Sequence, residues 1–252
     1  VKRTGSGSRE KYNMKTVLIT GASQGIGFET ARQLAQLNYF IYLGSRHKKR
    51  GLEAVAKLKE SGISNIALVE LDVTDLNSIK QARRQLEGEI NTLDILINNA
   101  GIAGNQPQHI ATGDMENLRN IFETNFFGAV QATQQFIPLL KKSDDPLILN
   151  VSSEMGSLTI QGNTKKPNRG LYDAYGCSKT ALNAFTVMLA SQFKNTRFRV
   201  NSVTPGYTAT NLNQYKGAKT PEEGARVIVE YATRENNGST GKFFNKDGEV
   251  PW

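Results

Sequence analysis

The sequence predicts one doubly wound α/β domain, with seven mostly parallel strands and helices on both faces of the sheet. Three observations lead there. From Lys15 onward, short β-branched or aliphatic runs alternate with longer stretches of helical period, the pattern of βαβ units on a parallel sheet. The first of these runs passes directly into a glycine-punctuated turn that opens an amphipathic helix. No internal repeat, low-complexity tract or proline-rich linker divides residues 14 to 252, so a single domain is expected over that range.

In chain order the strand candidates are TVLIT, YFIYLGS, IALVEL, LDILINN, PLILNVS, RFRVNSV and GKFFN. Each is a short apolar run rich in Val, Ile, Leu or Phe, as expected for strands covered on both faces. Helical signals fill the gaps. In RGLEAVAKLKESG the apolar Leu52, Val55 and Ala56 fall at i, i+3 and i+4 and are expected to face the sheet, with Gly62 placed to close the helix as its C′ residue.

Bulk composition narrows the function classes. A chain of 252 residues with 38 % hydrophobic and 21 % charged residues can bury a substantial core. The formal net charge is +8, but Lys2, Arg3, Arg9 and Lys11 against Glu10 place +3 of it in the first thirteen residues. No long basic helix or basic stripe interleaved with aromatics follows, so neither a nucleic-acid nor a membrane partner is expected. Cys177 is the sole cysteine, which excludes an intrachain disulfide and a cysteine-based zinc site and fits a reducing compartment, the cytoplasm. No apolar run approaches the ~20 residues needed to span a bilayer. Residues 1–13, with Gly-Ser-Gly-Ser at their centre and Met14 after them, read as an expression leader or flexible tail.

The turn TGASQGIG carries the first chemistry. Gly21 allows a sharp reversal, while Gly25 and Gly27 let backbone approach a pyrophosphate and let helix approach sheet; Ser23 and Ile26 complete the loop. The helix that follows presents free N–H groups and a positive dipole end to phosphates. Its position after strand one makes this a nucleotide-binding turn of a Rossmann domain.

The spacing Gly-x-x-x-Gly-x-Gly after Thr20 resembles that of the short-chain dehydrogenase/reductase family. Further motifs of that family recur in order: NNAG at Asn98 to Gly101, TNFFG around Asn125, NVSS at Asn150 to Ser153, YGCSK at Tyr175 to Lys179, and PGYTAT at Pro205 to Thr210. The resemblance therefore covers residues 14 to 252. It implies a nicotinamide cofactor whose adenine meets Asp72 and Val73 and whose adenosine ribose is lined by Asn99, Ala100 and Gly101. It also implies that Pro205 and Gly206 shape the turn under the nicotinamide, and that the backbone near Thr208 and the hydroxyl of Thr210 hold the carboxamide and phosphates.

The end of strand two decides between the two nicotinamide cofactors. A carboxylate there would accept bonds from a ribose 2′-hydroxyl and repel a 2′-phosphate, and YLGSRHKKR has no acid in reach. Arg46 can instead stack on adenine and grip the phosphate with two prongs, with Arg50 or Lys49 adding charge. NADP(H) is the expected cofactor, although Gln24 stands where many NADP-binding relatives carry a basic residue.

Carbonyl reduction requires a proton on oxygen as well as a hydride on carbon. A free tyrosine, with a pKa near ~10, is too weak an acid to exchange that proton readily at neutral pH, and a nearby ammonium is expected to lower its pKa. Tyr175 has Lys179 four residues on, along one helix face; Tyr172 has Gly176 at that offset and is expected at the pocket edge. Ser153 is the candidate to hydrogen-bond the substrate carbonyl. Ser152, its strand neighbour, faces the other way. The resemblance further implies that Asn125 holds a water near the lysine and that Lys179 also bonds the nicotinamide ribose. Cys177 should face away from the pair, and His47 and His109 lack companions that would make them metal ligands or catalysts.

Within the family, GSRHKKRGLEAVAKL and the ending GKFFNKDGEVPW look like the carbonyl reductase branch. That branch reduces ketones, aldehydes and quinones with NADPH, so a small-molecule carbonyl substrate is implied. Ser153 and Tyr175 are 22 positions apart, further than in many relatives, and the added segment TIQGNTKKPNRGLYD should border the pocket, with Lys165, Lys166 and Arg169 at its rim. It leads into the helix through which many relatives assemble, which leaves both monomer and homo-oligomer open. The short stretch from Gly206 to TPEEGARVIVEYA implies a small lid. The competing readings are an NAD-dependent alcohol dehydrogenase working oxidatively, a non-catalytic NADP(H)-sensing regulator and a basic nucleic-acid-associated protein.

Overall fold

A computed structural model describes residues 14–163, 171–235 and 238–252. Eight strands form one sheet: β1 (Thr16–Ile19), β2 (Phe40–Ser45), β3 (Ile66–Glu70), β4 (Ile95–Asn98), β5 (Leu147–Val151), β6 (Arg199–Val203), β7 (Phe243–Asn245) and β8 (Gly248–Glu249). Their order is β3-β2-β1-β4-β5-β6-β7-β8, parallel throughout except for the final β7–β8 hairpin. The seven strands expected from sequence are all present. The eighth, two residues after the Lys246–Asp247 turn, is too short to carry a hydrophobic pattern.

Helices cover both faces. On one lie α1 (Gly25–Gln36), α2 (Lys48–Glu60) and α8 (Pro221–Thr233), burying Leu34, Leu58 and Ile228 against Val17, Ile19 and Leu149. On the other lie α3 (Leu76–Glu89), α5 (Gly128–Leu140) and α7 (Asp173–Gln192), burying Leu86, Phe136 and Leu189 against Leu18, Leu96 and Ile148. Alternate strand residues thus feed opposite cores. α4 (Met115–Phe122) joins α5 through a π turn at Glu123–Phe127, and the short α6 (Leu158–Gly162) precedes α7. Among the described residues no helix is long and apolar enough to cross a membrane.

The predicted face of α2 needs correction. Gly51, Ala54, Val55 and Leu58 are buried, whereas Leu52 is 53 % exposed and Ala56 is also exposed. Gly51 decides the rotation, because a side chain there would run into Leu68 and Ser45. Gly62 does end this helix, with φ of 89° and Ile63 N donating to Leu58 O at 3.1 Å.

A ladder of amides and hydroxyls crosses the second face beneath the carboxyl ends of the central strands. Asn98, Asn150 and Ser202 stand in register on β4, β5 and β6. Asn98 Nδ2 donates to Thr133 Oγ1 on α5 (2.9 Å) and to Asn150 Oδ1 (2.8 Å), and Asn150 Nδ2 donates to Thr186 Oγ1 on α7 (2.8 Å). Thr186 gives its own proton to Leu182 O (2.9 Å) and so accepts from Ser202 Oγ (2.8 Å). Every member is buried, so each bond replaces one that water can no longer make. Thr186→Val keeps the shape but strands Asn150 Nδ2 and Ser202 Oγ. We expect a loss of about 1–3 kcal/mol in urea denaturation, largely restored by Thr186→Ser; unchanged stability in the valine variant would show that the ladder bears no load.

Candidate active site

A cavity of about 710 Å³ opens along the carboxyl ends of the strands, at the place where the chain leaves β1 in one direction and β4 in the other. Gly21 is at its floor with φ of 63°, and a Cβ there would come within 2.8 Å of Ala100 Cα. Gly27 likewise abuts the Asn99 amide. This close approach is stapled from both sides: Thr20 Oγ1 accepts from Asn99 N (3.0 Å) and Ala100 N (2.9 Å), and Asn99 Nδ2 donates to Thr20 O (2.8 Å) and Gly21 O (3.1 Å). The NNAG segment and the glycine turn are therefore one rigid unit. Thr20 was visible only as the residue before the turn; its bracing role needed the partner strand.

The structure brings the candidate cofactor residues to this one cavity. Gly21, Ser23, Gly25, Ile26 and Gly27 line the glycine turn, and Asn99, Ala100 and Gly101 line the wall after β4. Asp72 and Val73 follow β3, and Pro205, Gly206, Thr208 and Thr210 follow β6. Arg46 and Arg50 stand at the end beyond β2, with Arg46 Nε donating to His47 Nε2 at 3.1 Å; Lys49 does not reach the cavity. A glycine cradle that side chains would fill, leading to two guanidiniums and no carboxylate after β2, fits a dinucleotide carrying a 2′-phosphate.

The candidate reactive set lies at the other end. Ser153 follows β5 and caps a 3₁₀ turn at Glu154–Gly156, accepting from Met155 N at 3.2 Å. Its hydroxyl lies near enough to that of Tyr175 to favour the phenolate. Lys179 comes one turn later on the inward face of α7, only 4 % exposed, with Nζ donating to Val151 O at 2.8 Å and 5.6 Å from the Tyr175 ring centre. Gln108, which sequence reasoning passed over, accepts from Tyr175 N at 3.0 Å and so satisfies one of the free N–H groups of the first turn of α7. Tyr172 lines the cavity at its edge, while Cys177 is exposed on the outer side of α7.

Asn125 lies behind the cavity wall, inside the π turn, a form that occurs frequently at functional sites. Its Oδ1 accepts from Ile102 N (2.8 Å), and its Nδ2 donates to Ile102 O (3.0 Å) and Ser178 Oγ (3.0 Å). The amide is thus engaged in joining the loop after β4 to α7. Lys165, Lys166 and Arg169 fall outside the described residues.

The expected electrostatics are corrected on one point. Burial pushes the Tyr175 phenol up to about 12, opposed by the nearby Ser153 hydroxyl and reinforced by Tyr172, and Lys179 does not pull it down. The ammonium is aimed at Val151 O, not at the phenol oxygen, and burial lowers its own pKa to about 8. At neutral pH Tyr175 therefore holds its proton and Lys179 is mostly charged.

Both shifts are readable as stability. Between pH 8 and 10.5 the unfolded chain keeps a proton that folded Lys179 has released, so stability rises with pH across that window. Between pH 10 and 12 folded Tyr175 keeps a proton the unfolded chain has lost, so its contribution falls as pH rises. In melts without nucleotide, wild type should gain up to about 3 kcal/mol relative to Lys179→Met from pH 8 to 10.5; parallel curves would contradict a neutralised buried lysine.

The family model for short chain dehydrogenase matches residues 15–221. (+)-Neomenthol dehydrogenase of Capsicum annuum is 32 % identical over 301 residues, covering 90 % of this chain and 94 % of its own. (−)-Isopiperitenone reductase of Mentha piperita is 33 % identical over 302 residues, covering 91 % and 96 %. The solved structure of salutaridine reductase from Papaver somniferum superposes with a TM-score of 0.81 at 29 % identity, covering 92 % of this chain and 99 % of that one. Matched over most of its length by that model and by relatives more than 30 % identical, the chain belongs to the short chain dehydrogenase family.

Proposed function

We propose that this enzyme reduces the carbonyl group of a small molecule to an alcohol with NADPH, Tyr175 delivering the proton. The observation that carries the reading is the conjunction of Tyr175, its neighbour Ser153 and the buried Lys179 at one end of a cavity that the glycine turn lines at the other. NADPH supplies the hydride when bound. The residues do the rest: the Ser153 hydroxyl bonds the carbonyl oxygen and holds it against Tyr175, whose proton passes to that oxygen as negative charge develops. The phenolate left behind is stabilised by the Ser153 hydroxyl.

In this reading the glycine turn from Gly21 to Gly27 holds the pyrophosphate, Asp72 and Val73 hold adenine, and Asn99 to Gly101 line the ribose. Lys179 bonds the nicotinamide ribose, and Pro205, Gly206, Thr208 and Thr210 shape the carboxamide end. Asn125 keeps the wall behind Lys179 in place and holds a water near the lysine. Arg46 and Arg50 select the 2′-phosphate. Relatives whose names denote reductases support the direction of the reaction. A lone cysteine suits the cytoplasm as the place of action.

An NADPH-oxidation screen over quinones, aromatic aldehydes, diketones and steroid ketones tests the activity; no turnover of any of them would count against it. Tyr175→Phe should lower kcat by about 10²-fold or more, and a fully active variant would remove Tyr175 as the proton donor. Arg46→Asp should shift the ratio of kcat/KM for NADPH over NADH toward NADH by about 10²-fold, through loss of a charge-assisted bond and gain of repulsion. An unmoved ratio would point to the NAD-dependent oxidative alternative.

A further inference from the structure

Resting on the carbonyl-reduction reading, we propose that Tyr215, with Tyr207 and Tyr172, forms a fixed aromatic collar that selects flat, uncharged, ring-bearing carbonyl compounds. The two ends of the cavity differ in chemistry. The nucleotide end carries Arg46, His47 and Arg50, whereas the substrate end is walled by Ile102, Ala103, Met155 and Leu212 together with the three tyrosines. Among the described residues there, Glu154 is the one charged side chain apart from Lys179, and its sign opposes a carboxylate or phosphate on the substrate.

The collar is set in advance, and the backbone shows how. Gln214 and Tyr215 both adopt left-handed conformations, with φ of 55° and 60°. Two consecutive non-glycine residues in that region are strained, and such strain persists only where surrounding bonds over-determine it. They do so here. Asn213, buried, accepts from Thr210 N (3.1 Å) and donates to Thr208 O (2.8 Å), while Tyr215 N donates to Thr210 O (2.8 Å). The other limb is zipped by Ala209 N to Lys219 O (2.7 Å) and Lys219 N to Tyr207 O (3.1 Å). A loop free to swing would relax the pair; this one is clasped with Tyr215 at the cavity mouth.

The rings stay uncovered, Tyr215 at 69 % and Tyr207 at 56 % exposure, although both line the cavity. Phenol faces held open at a pocket mouth offer stacking area to a flat ring and a hydroxyl to its edge, at little entropic cost because the backbone is already fixed. A small aliphatic carbonyl reaches Ser153 and Tyr175 without using them. The same loop carries Thr208 and Thr210, so the collar and the carboxamide end of the nucleotide site share one clasp.

The test compares 2-tetralone, a tetralone carboxylate and butanone as substrates of wild type, Tyr215→Ala and Tyr215→Phe. Wild type should show a kcat/KM for 2-tetralone at least about 10-fold above that for the carboxylate. In Tyr215→Ala the ratio of KM for 2-tetralone to KM for butanone should rise about 10-fold, the change carried by KM and not kcat, and Tyr215→Phe should restore the ratio. Preference for the carboxylate, or a Tyr215→Ala ratio equal to wild type, overturns the collar. Binding of 2-tetralone to the NADP⁺ complex, followed by tyrosine fluorescence, separates the two layers: Tyr215-dependent binding without turnover of any carbonyl would sink the reduction reading and leave the collar standing.

Discussion

The site depends on one buried contact, the Lys179 ammonium against the Val151 carbonyl at 2.8 Å. It ties the second turn of α7 to the last residue of β5, and the candidate reactive groups hang on either side of it: Ser153 two residues past the strand end, Tyr175 one turn back on the helix. An ammonium taken this far from water, with a single carbonyl for a partner, is under constant pressure to lose its proton. The phenol above it is under the opposite pressure, to keep one. Both come from the same exclusion of solvent, so the wall that makes Lys179 costly to bury also keeps Tyr175 protonated. The polar ladder from Asn98 to Ser202 holds the strand and helix that carry this contact at a fixed spacing, which an apolar interface between sliding helices and strands would leave less specific.

The architecture was legible because it rests on short-range signals. Strand runs such as TVLIT and PLILNVS, and a glycine turn placed between strand and helix, report their own conformation. Tyr175 and Lys179 were legible for the same reason, since a helix fixes where a residue four positions on will lie. What escaped the sequence depends on partners distant in the chain. Gln108 meets Tyr175 N across 67 positions, and Thr20 braces Asn99 across 79. The face of α2 was misjudged because hydrophobicity alone ranks Leu52 above Gly51, whereas packing against Leu68 admits only the smaller residue. The direction of the Tyr175 shift was misjudged because charge proximity can be counted along a helix and desolvation cannot.

The cavity is asymmetric in rigidity as well as in charge. Its nucleotide half is built from main-chain turns locked by Thr20 and Asn99, so little about it can adapt. Its substrate half is built from side chains on the 3₁₀ turn after Ser153, the edge of α7 and the loop clasped by Asn213. On the proposed reading, recognition of the cofactor and choice of the substrate fall to separate parts of one surface, joined where Thr208 and Thr210 lie.

The strand order has a temporal consequence. The floor of the cavity joins the turn after β1 to the turn after β4, so neither the first two βα units nor the later ones contain a nucleotide site by themselves. That floor comes into being only when β4 pairs with β1, a contact that closes a loop of some 75 residues. A bound nucleotide would fasten exactly this seam, stabilising the finished sheet over any intermediate in which the two halves have formed but not met.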